Sequence, residues 1–148
     1  ELFRWGLGRY SVALQQLAED GSWPLEMARH EQALHYQNFA LLPLTLIAEI
    51  AHQQGLDLYA RQVKGRDLHR AVAFLAKTLP ARRAAEITTA PAASAPMMNL
   101  RAFVPGAGDM TWAEFYRARF GRDPLGLLAL PVSNPRTGGS ATLLVFQP

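Results

Sequence analysis

An all-α architecture is what this sequence predicts, and three observations carry it. Apolar residues recur at spacings of three and four over several long segments, these segments are divided by Gly, Pro and Asp-Gly punctuation, and only one short run near the C-terminus reads as a strand. Helices joined by short turns, some of them apolar on more than one side, point to something larger than a simple bundle. One such arrangement is a closed ring of helix pairs to which this chain contributes an arc.

The first segment, Leu2 to about Glu19, places Phe3, Leu7, Tyr10, Leu14 and Leu17 on one helical face and stops at Asp20-Gly21-Ser22. Trp23-Pro24 predicts a short extended connection, because the residue before a proline is pushed out of the α region. A second helix is expected from about Glu26 to Gln54, apolar nearly all round between Phe39 and Ile50 and therefore covered on several sides. Pro43 lies inside it and predicts a kink; Gly55 is a fitting stop. Asp67 to Leu79 reads as a third helix, with Leu68, Val72, Leu75 and Leu79 on one side and Pro80 beyond its end.

A short fourth helix is expected from Ala81 to Ile87, and residues 88–110 are expected to be a loop, since Thr88 to Pro96 is Ala, Thr, Ser and Pro without periodicity. Thr111 predicts an N-cap for a helix from Trp112 to Phe120, with Glu114 completing a capping box. The tail after it reads as irregular apart from a strand at Thr142 to Phe146, following a turn at Thr137-Gly138-Gly139.

The chain has 148 residues, one domain's worth, but begins at Glu1 with helical periodicity already running, and is expected to be a segment of a longer protein. It has no cysteine, which removes disulfides, thiolate catalysis and cysteine-based zinc sites from consideration. No long uncharged apolar run predicts a membrane span. The net charge of +3 favours a polyanionic partner. Nucleic acid fits poorly, because the basic residues are scattered and aromatic residues do not alternate with them as a stacking platform requires.

Chemistry enters with Arg29 and Tyr36, seven residues apart in Met27-Ala28-Arg29-His30-Glu31-Gln32-Ala33-Leu34-His35-Tyr36. Seven residues of α-helix turn through about 700°, so both side chains leave one face, about 10 Å apart along the axis. Side chains lean toward the helix N-terminus, which tips the phenol back toward the guanidinium. A fixed cation beside a phenol suits an acidic substrate. Arginine and tyrosine at that spacing are ordinarily structural, the one lying along the surface and the other packed with its hydroxyl satisfied, so the surrounding residues must decide.

They do so by resemblance. Gly21-Ser22-Trp23-Pro24-Leu25-Glu26-Met27-Ala28-Arg29, followed by Ala33-Leu34-His35-Tyr36-Gln37-Asn38-Phe39-Ala40-Leu41, resembles the mannuronate-specific alginate lyases of the α/α-toroid type. That family shows a Gly-aromatic-Leu-Pro turn, then Glu-Leu-Lys-Arg, then Ala-Leu-x-Tyr-His-Asn-aromatic-Ala-Leu at the same spacing. The match runs from about Trp5 to Gly55. It departs at Gln37, where the family usually has His, at Leu25, where it has Asn, and at Ala28, where it has Lys. The family's Asn-His pair, which helps hold the substrate carboxylate, lies earlier than Glu1, and none of His30, His35, His52 and His69 sits in such a pair.

The resemblance implies that the chain is part of an α/α-toroid domain, an incomplete ring lacking its N-terminal portion. It implies a polysaccharide lyase acting on alginate, poly-mannuronate in particular, in the periplasm or outside the cell, with no metal or organic cofactor. Arg29 and Tyr36 fall on the family's catalytic residues. Cleaving a 4-linked uronan by β-elimination requires removal of the C5 proton, which is weakly acidic until the neighbouring carboxylate is neutralised. Arg29 would do that by a bidentate charge-assisted hydrogen bond, and Tyr36 would take the proton and pass it to the leaving oxygen. His30, beside Arg29, and Trp23, whose face suits a pyranose ring, are candidates for binding substrate.

Bland readings stand beside these. A tryptophan in a turn is often packed, and His30 is as readily an exposed residue. His35 and Asn38 read as packing residues. Arg82, Arg83, Arg117, Arg119 and Arg122 are explained by solvated helix faces as well as by guidance of a uronate chain. The competing functional class is a binding or assembly module that kept the groove for an acidic polysaccharide and lost the chemistry.

Overall fold

The computed structural model describes residues 1–87, 111–121, 133–134 and 139–140, with side chains described as far as residue 78 and again over 111–121. These form helices α1 (Leu2–Gln15), α2 (Pro24–Met27), α3 (Ala33–Gln53), α4 (Leu68–Ile87) and α5 (Thr111–Phe120), with a 3₁₀ turn at His30–Gln32. Strands β1 (Ser133–Asn134) and β2 (Gly139–Ser140) pair antiparallel, Ser133 opposite Ser140. The all-α expectation holds. The loop expected over 88–110 and the strand expected at Thr142 to Phe146 lie outside the described residues.

Helix α1 buries Tyr10 and Leu14, with Leu17 just past its end, one face as the periodicity requires. It ends at Gln15, earlier than expected, and residues 16–22 turn the chain. Asp20 builds that turn: its Oδ1 accepts from Ser22 N at 2.9 Å and from Ser22 Oγ at 2.7 Å. Gly21, at φ 92°, is required there twice over, because a Cβ would also overlap the carbonyl of Arg70 at the start of α4. Trp23 is extended, as its proline neighbour dictates, and Pro24 opens α2.

The long second helix predicted over Glu26 to Gln54 is instead two helices with a break between them. His30 sits at φ 51°, a left-handed conformation that no α-helix accommodates, and α3 starts only at Ala33. No glycine or proline announces this break, but histidine is among the residues enriched at positive φ. Helix α3 then runs unbroken through Pro43 and buries one stripe: Leu34, Gln37, Asn38, Leu41, Leu44, Thr45, Ala48 and Glu49. Phe39 and Ile50 remain 42% and 41% exposed, so within the described residues the helix has an open side rather than all-round cover.

Helix α4 begins after Asp67, whose Oδ1 accepts from Arg70 N at 3.0 Å, and it buries Leu68, Ala71, Val72 and Leu75. It passes through Pro80 to Ile87, merging the two helices predicted on either side of that proline. The run Ala81-Arg82-Arg83-Ala84-Ala85-Glu86 is made of strong helix formers, which offset the loss of one backbone donor.

Helix α5 starts at Thr111, one residue before the predicted Trp112, so Thr111 is its first helical residue rather than its cap. Every residue from Thr111 to Tyr116 is buried. It lies along α3 in the same direction. Trp112 Nε1 donates to Asn38 Oδ1 at 2.7 Å, and farther along Arg119 reaches Glu49. Tyr10, Leu34, Leu41, Leu75 and Trp112 are fully buried and form the centre of a core shared by α1, α3, α4 and α5.

Candidate active site

The site is built at the break between α2 and α3. Gln37, fully buried, uses both ends of its amide to anchor the approach: Oε1 accepts from Trp23 N at 2.9 Å and Nε2 donates to the Gly21 carbonyl at 3.0 Å. Pro24 then starts α2 from that fixed point, and the short helix delivers Glu26 and Arg29. The left-handed His30 folds the chain back, and α3 presents Tyr36 one residue before Gln37.

The guanidinium carbon of Arg29 thereby comes to rest 4.1 Å from the centroid of the Tyr36 ring, over its face. Arg29 Nε donates to Glu26 Oε2 at 2.7 Å. The two predicted catalytic side chains are together, but not by the predicted route. They do not share one face of one helix; a bend between two helices joins them.

Arg29, His30, Glu31, Gln32 and Tyr36 line an open surface depression of about 460 Å³. Tyr36 is half-buried in its wall, with His35 packed edge-on against its ring, centroids 5.4 Å apart. His30 stands exposed on the rim, where a ligand in the depression would meet it. Trp23 does not. It is 5% exposed and its indole donates to the Ala13 carbonyl at 2.8 Å, so no ring face is open for a sugar. Its sugar-stacking role is withdrawn: the anchored turn needs that bulk in the core.

Residues that the sequence reading passed over are Glu26, Glu31 and Gln32. Only Glu26 left a legible signal, an acid three residues before a base. Gln37, at a family histidine position, points inward as an anchor and does not line the depression. Among the described residues no group of three or more His, Asp or Glu is placed to hold a metal ion, and no described helix is long and apolar enough to cross a membrane.

A second polar cluster lies farther along α3. Glu49, 2% exposed, accepts from Tyr59 Oη at 2.9 Å and from two nitrogens of Arg119, at 3.3 and 2.5 Å. Burial, then the Glu49 charge, pushes the Tyr59 phenol well above its usual range. The hydrogen bonds of Arg119 to Glu49, together with the Glu49 charge, raise the Arg119 guanidinium above its ordinary value. His69 Nδ1 meets Tyr116 Oη at 2.6 Å, and Phe120 stacks among these rings. Glu49, Tyr59 and Tyr116 are buried, while His69 and Arg119 are partly exposed and Phe120 is exposed; this cluster ties α5 to α3, to α4 and to the chain between them.

The family model described as alginate lyase matches residues 1–84. A polysaccharide lyase from Stenotrophomonas maltophilia is 34% identical over 151 residues, covering 97% of this chain and 40% of its own. An alginate lyase from Pseudomonas syringae is 47% identical over 58 residues, 39% of this chain and 15% of that protein. Among solved structures, alginate lyase A1-III from a Sphingomonas species superposes with a TM-score of 0.79 at 53% identity, over 100% of this chain and 41% of that one. A variant of that lyase complexed with a tetrasaccharide matches with a TM-score of 0.79 at 53% identity, over 99% of this chain and 42% of that one. The chain thus spans about two fifths of the length of the Stenotrophomonas lyase and of the A1-III structures, and its helices form an arc of their α/α-toroid fold. With the matched model covering more than half of its residues, the chain belongs to the alginate lyase family.

Proposed function

We propose that the protein is a polysaccharide lyase that cleaves alginate, with poly-mannuronate as its preferred polymer, by β-elimination and without a cofactor. The observation that carries this reading is the Arg29 guanidinium held over the Tyr36 ring at the edge of an open depression. Family membership and the tetrasaccharide bound by a close structural relative support it.

The chemistry follows from the two groups. A uronate carboxylate docked on Arg29 is neutralised by a charge-assisted hydrogen bond, and the negative charge that develops on it as the C5 proton leaves is stabilised at the same place. Tyr36, beside the cation, takes that proton and returns it to the glycosidic oxygen as the bond to C4 breaks. The product carries a 4,5-unsaturated sugar that absorbs in the near ultraviolet. His30, on the rim, contacts a neighbouring sugar. Action on an extracellular polymer suits a periplasmic or secreted location.

The test is incubation of the full-length protein with polymannuronate while following near-ultraviolet absorbance. A rise is expected, and Tyr36→Phe should remove it while leaving polymer binding largely intact. Polymer binding with no rise in the wild type would favour a binding module instead. Full activity in Tyr36→Phe would overturn the base assignment.

A further inference from the structure

We propose that Glu26 is a positioning residue for this reaction, aiming the terminal edge of the Arg29 guanidinium at the substrate carboxylate; the inference rests on the lyase reading above. A guanidinium offers a carboxylate two bidentate edges, one made by Nε with a terminal nitrogen and one by both terminal nitrogens. Glu26 occupies Nε at 2.7 Å, which closes the first edge. Among the described residues no hydrogen bond is formed by Nη1 or Nη2, and Arg29 lines the depression, so the second edge remains available to a ligand there.

Stability does not account for this ion pair. The Arg29 side chain is 49% exposed and that of Glu26 25%, and exposed pairs at this spacing contribute little to folding. Its consequence is orientational. The Tyr36 ring supports the guanidinium from one side, and the Glu26 bond to Nε fixes which edge it occupies. The two supports have a common foundation on α3. Gln37 anchors the turn from which α2 and Glu26 project, and Tyr36 is its immediate neighbour in sequence. Arg29 is therefore held between Glu26 on α2 and Tyr36 on α3, with Gln37 of α3 anchoring the turn before α2, although it lies in a turn that is itself exposed.

Glutamate is suited to the task. Its carboxylate accepts the Nε–H and leaves the edge made by the two terminal nitrogens for an anion. A substrate carboxylate then arrives at an arginine that has already lost its rotamer freedom, which is where positioning lowers a barrier.

Steady-state kinetics of the full-length protein on polymannuronate, with melting temperature measured alongside, test the role. Glu26→Ala should lower kcat by about tenfold with KM changed by no more than about twofold, and Glu26→Gln, whose amide oxygen can accept the same N–H, should recover most of the loss. Melting temperature should stay near that of the wild type in both. Wild-type kcat in Glu26→Ala overturns the proposal, as does a glutamine variant no better than alanine. A lowered KM in Glu26→Ala also overturns it, because Glu26 would then be a competitor for Arg29. An inactive wild-type protein overturns the lyase reading itself, and the inference with it.

Discussion

The indole N–H of Trp112 donates to Asn38 Oδ1 at 2.7 Å, joining residues 74 positions apart inside the core. Asn38 lies two residues beyond Tyr36, so this bond seats α5 against the part of α3 that carries the proposed base. Asn38→Leu would leave a buried N–H unsatisfied, and chemical denaturation should show a loss of about 1–3 kcal/mol. A stability equal to the wild type would show that the indole finds another acceptor.

Arg29 should not tolerate lysine. The ammonium keeps the charge but loses the planar fork, the Nε link to Glu26 and the stacking on Tyr36. In Arg29→Lys, kcat/KM on polymannuronate should fall by about a hundredfold with the fold intact, since removing one donor aimed at developing charge is worth about 2.7–4 kcal/mol. A loss of less than about threefold would mean that charge alone suffices.

Breaking the second cluster should cost stability rather than chemistry. Arg119→Met strands the Glu49 carboxylate at 2% exposure with, among the described residues, only the Tyr59 hydroxyl for support. Removing one partner of a buried pair typically destabilises by about 3–5 kcal/mol; Arg119 is itself partly exposed, so the lower end is expected in thermal or denaturant unfolding. The exposed ion pair of Glu26 and Arg29 should show no comparable effect.

Alkaline pH should unfold the protein in a defined window. The Tyr59 and Tyr10 phenols are both raised, chiefly by burial, with Tyr10 Oη donating to the Leu58 carbonyl at 2.7 Å. A folded-state pKa above that of the unfolded chain makes a contribution fully present below the unfolded value, near 10, and lost as pH rises beyond it. Stability should therefore be flat up to about pH 10 and then fall, with a shallower fall in Tyr59→Phe. An unchanged slope in that variant would remove Tyr59 from the linkage.

Local rules in the sequence determined a good deal. Periodicity placed α1, most of α3 and the first part of α4, the capping residues Thr111 and Glu114 marked α5, the proline placed the extended Trp23, and the residue string around Arg29 and Tyr36 selected both the family and the pair of groups. Each of these depends on neighbours within a turn or two, or on a string of residues read directly.

Tertiary structure decided the rest. The break at His30 carries no glycine or proline; it exists because Gln37 pins the turn before α2 while Tyr36 waits on α3, and the chain between must bend to satisfy both. Pro80 ends no helix because the strong formers beyond it carry the helix on. Trp23 is a core residue because its indole and its backbone N–H both find partners far along the chain, at Ala13 and Gln37. The physical reason is common to all three: a local preference is worth about a kcal/mol, and a few packed, hydrogen-bonded contacts between distant residues outweigh it.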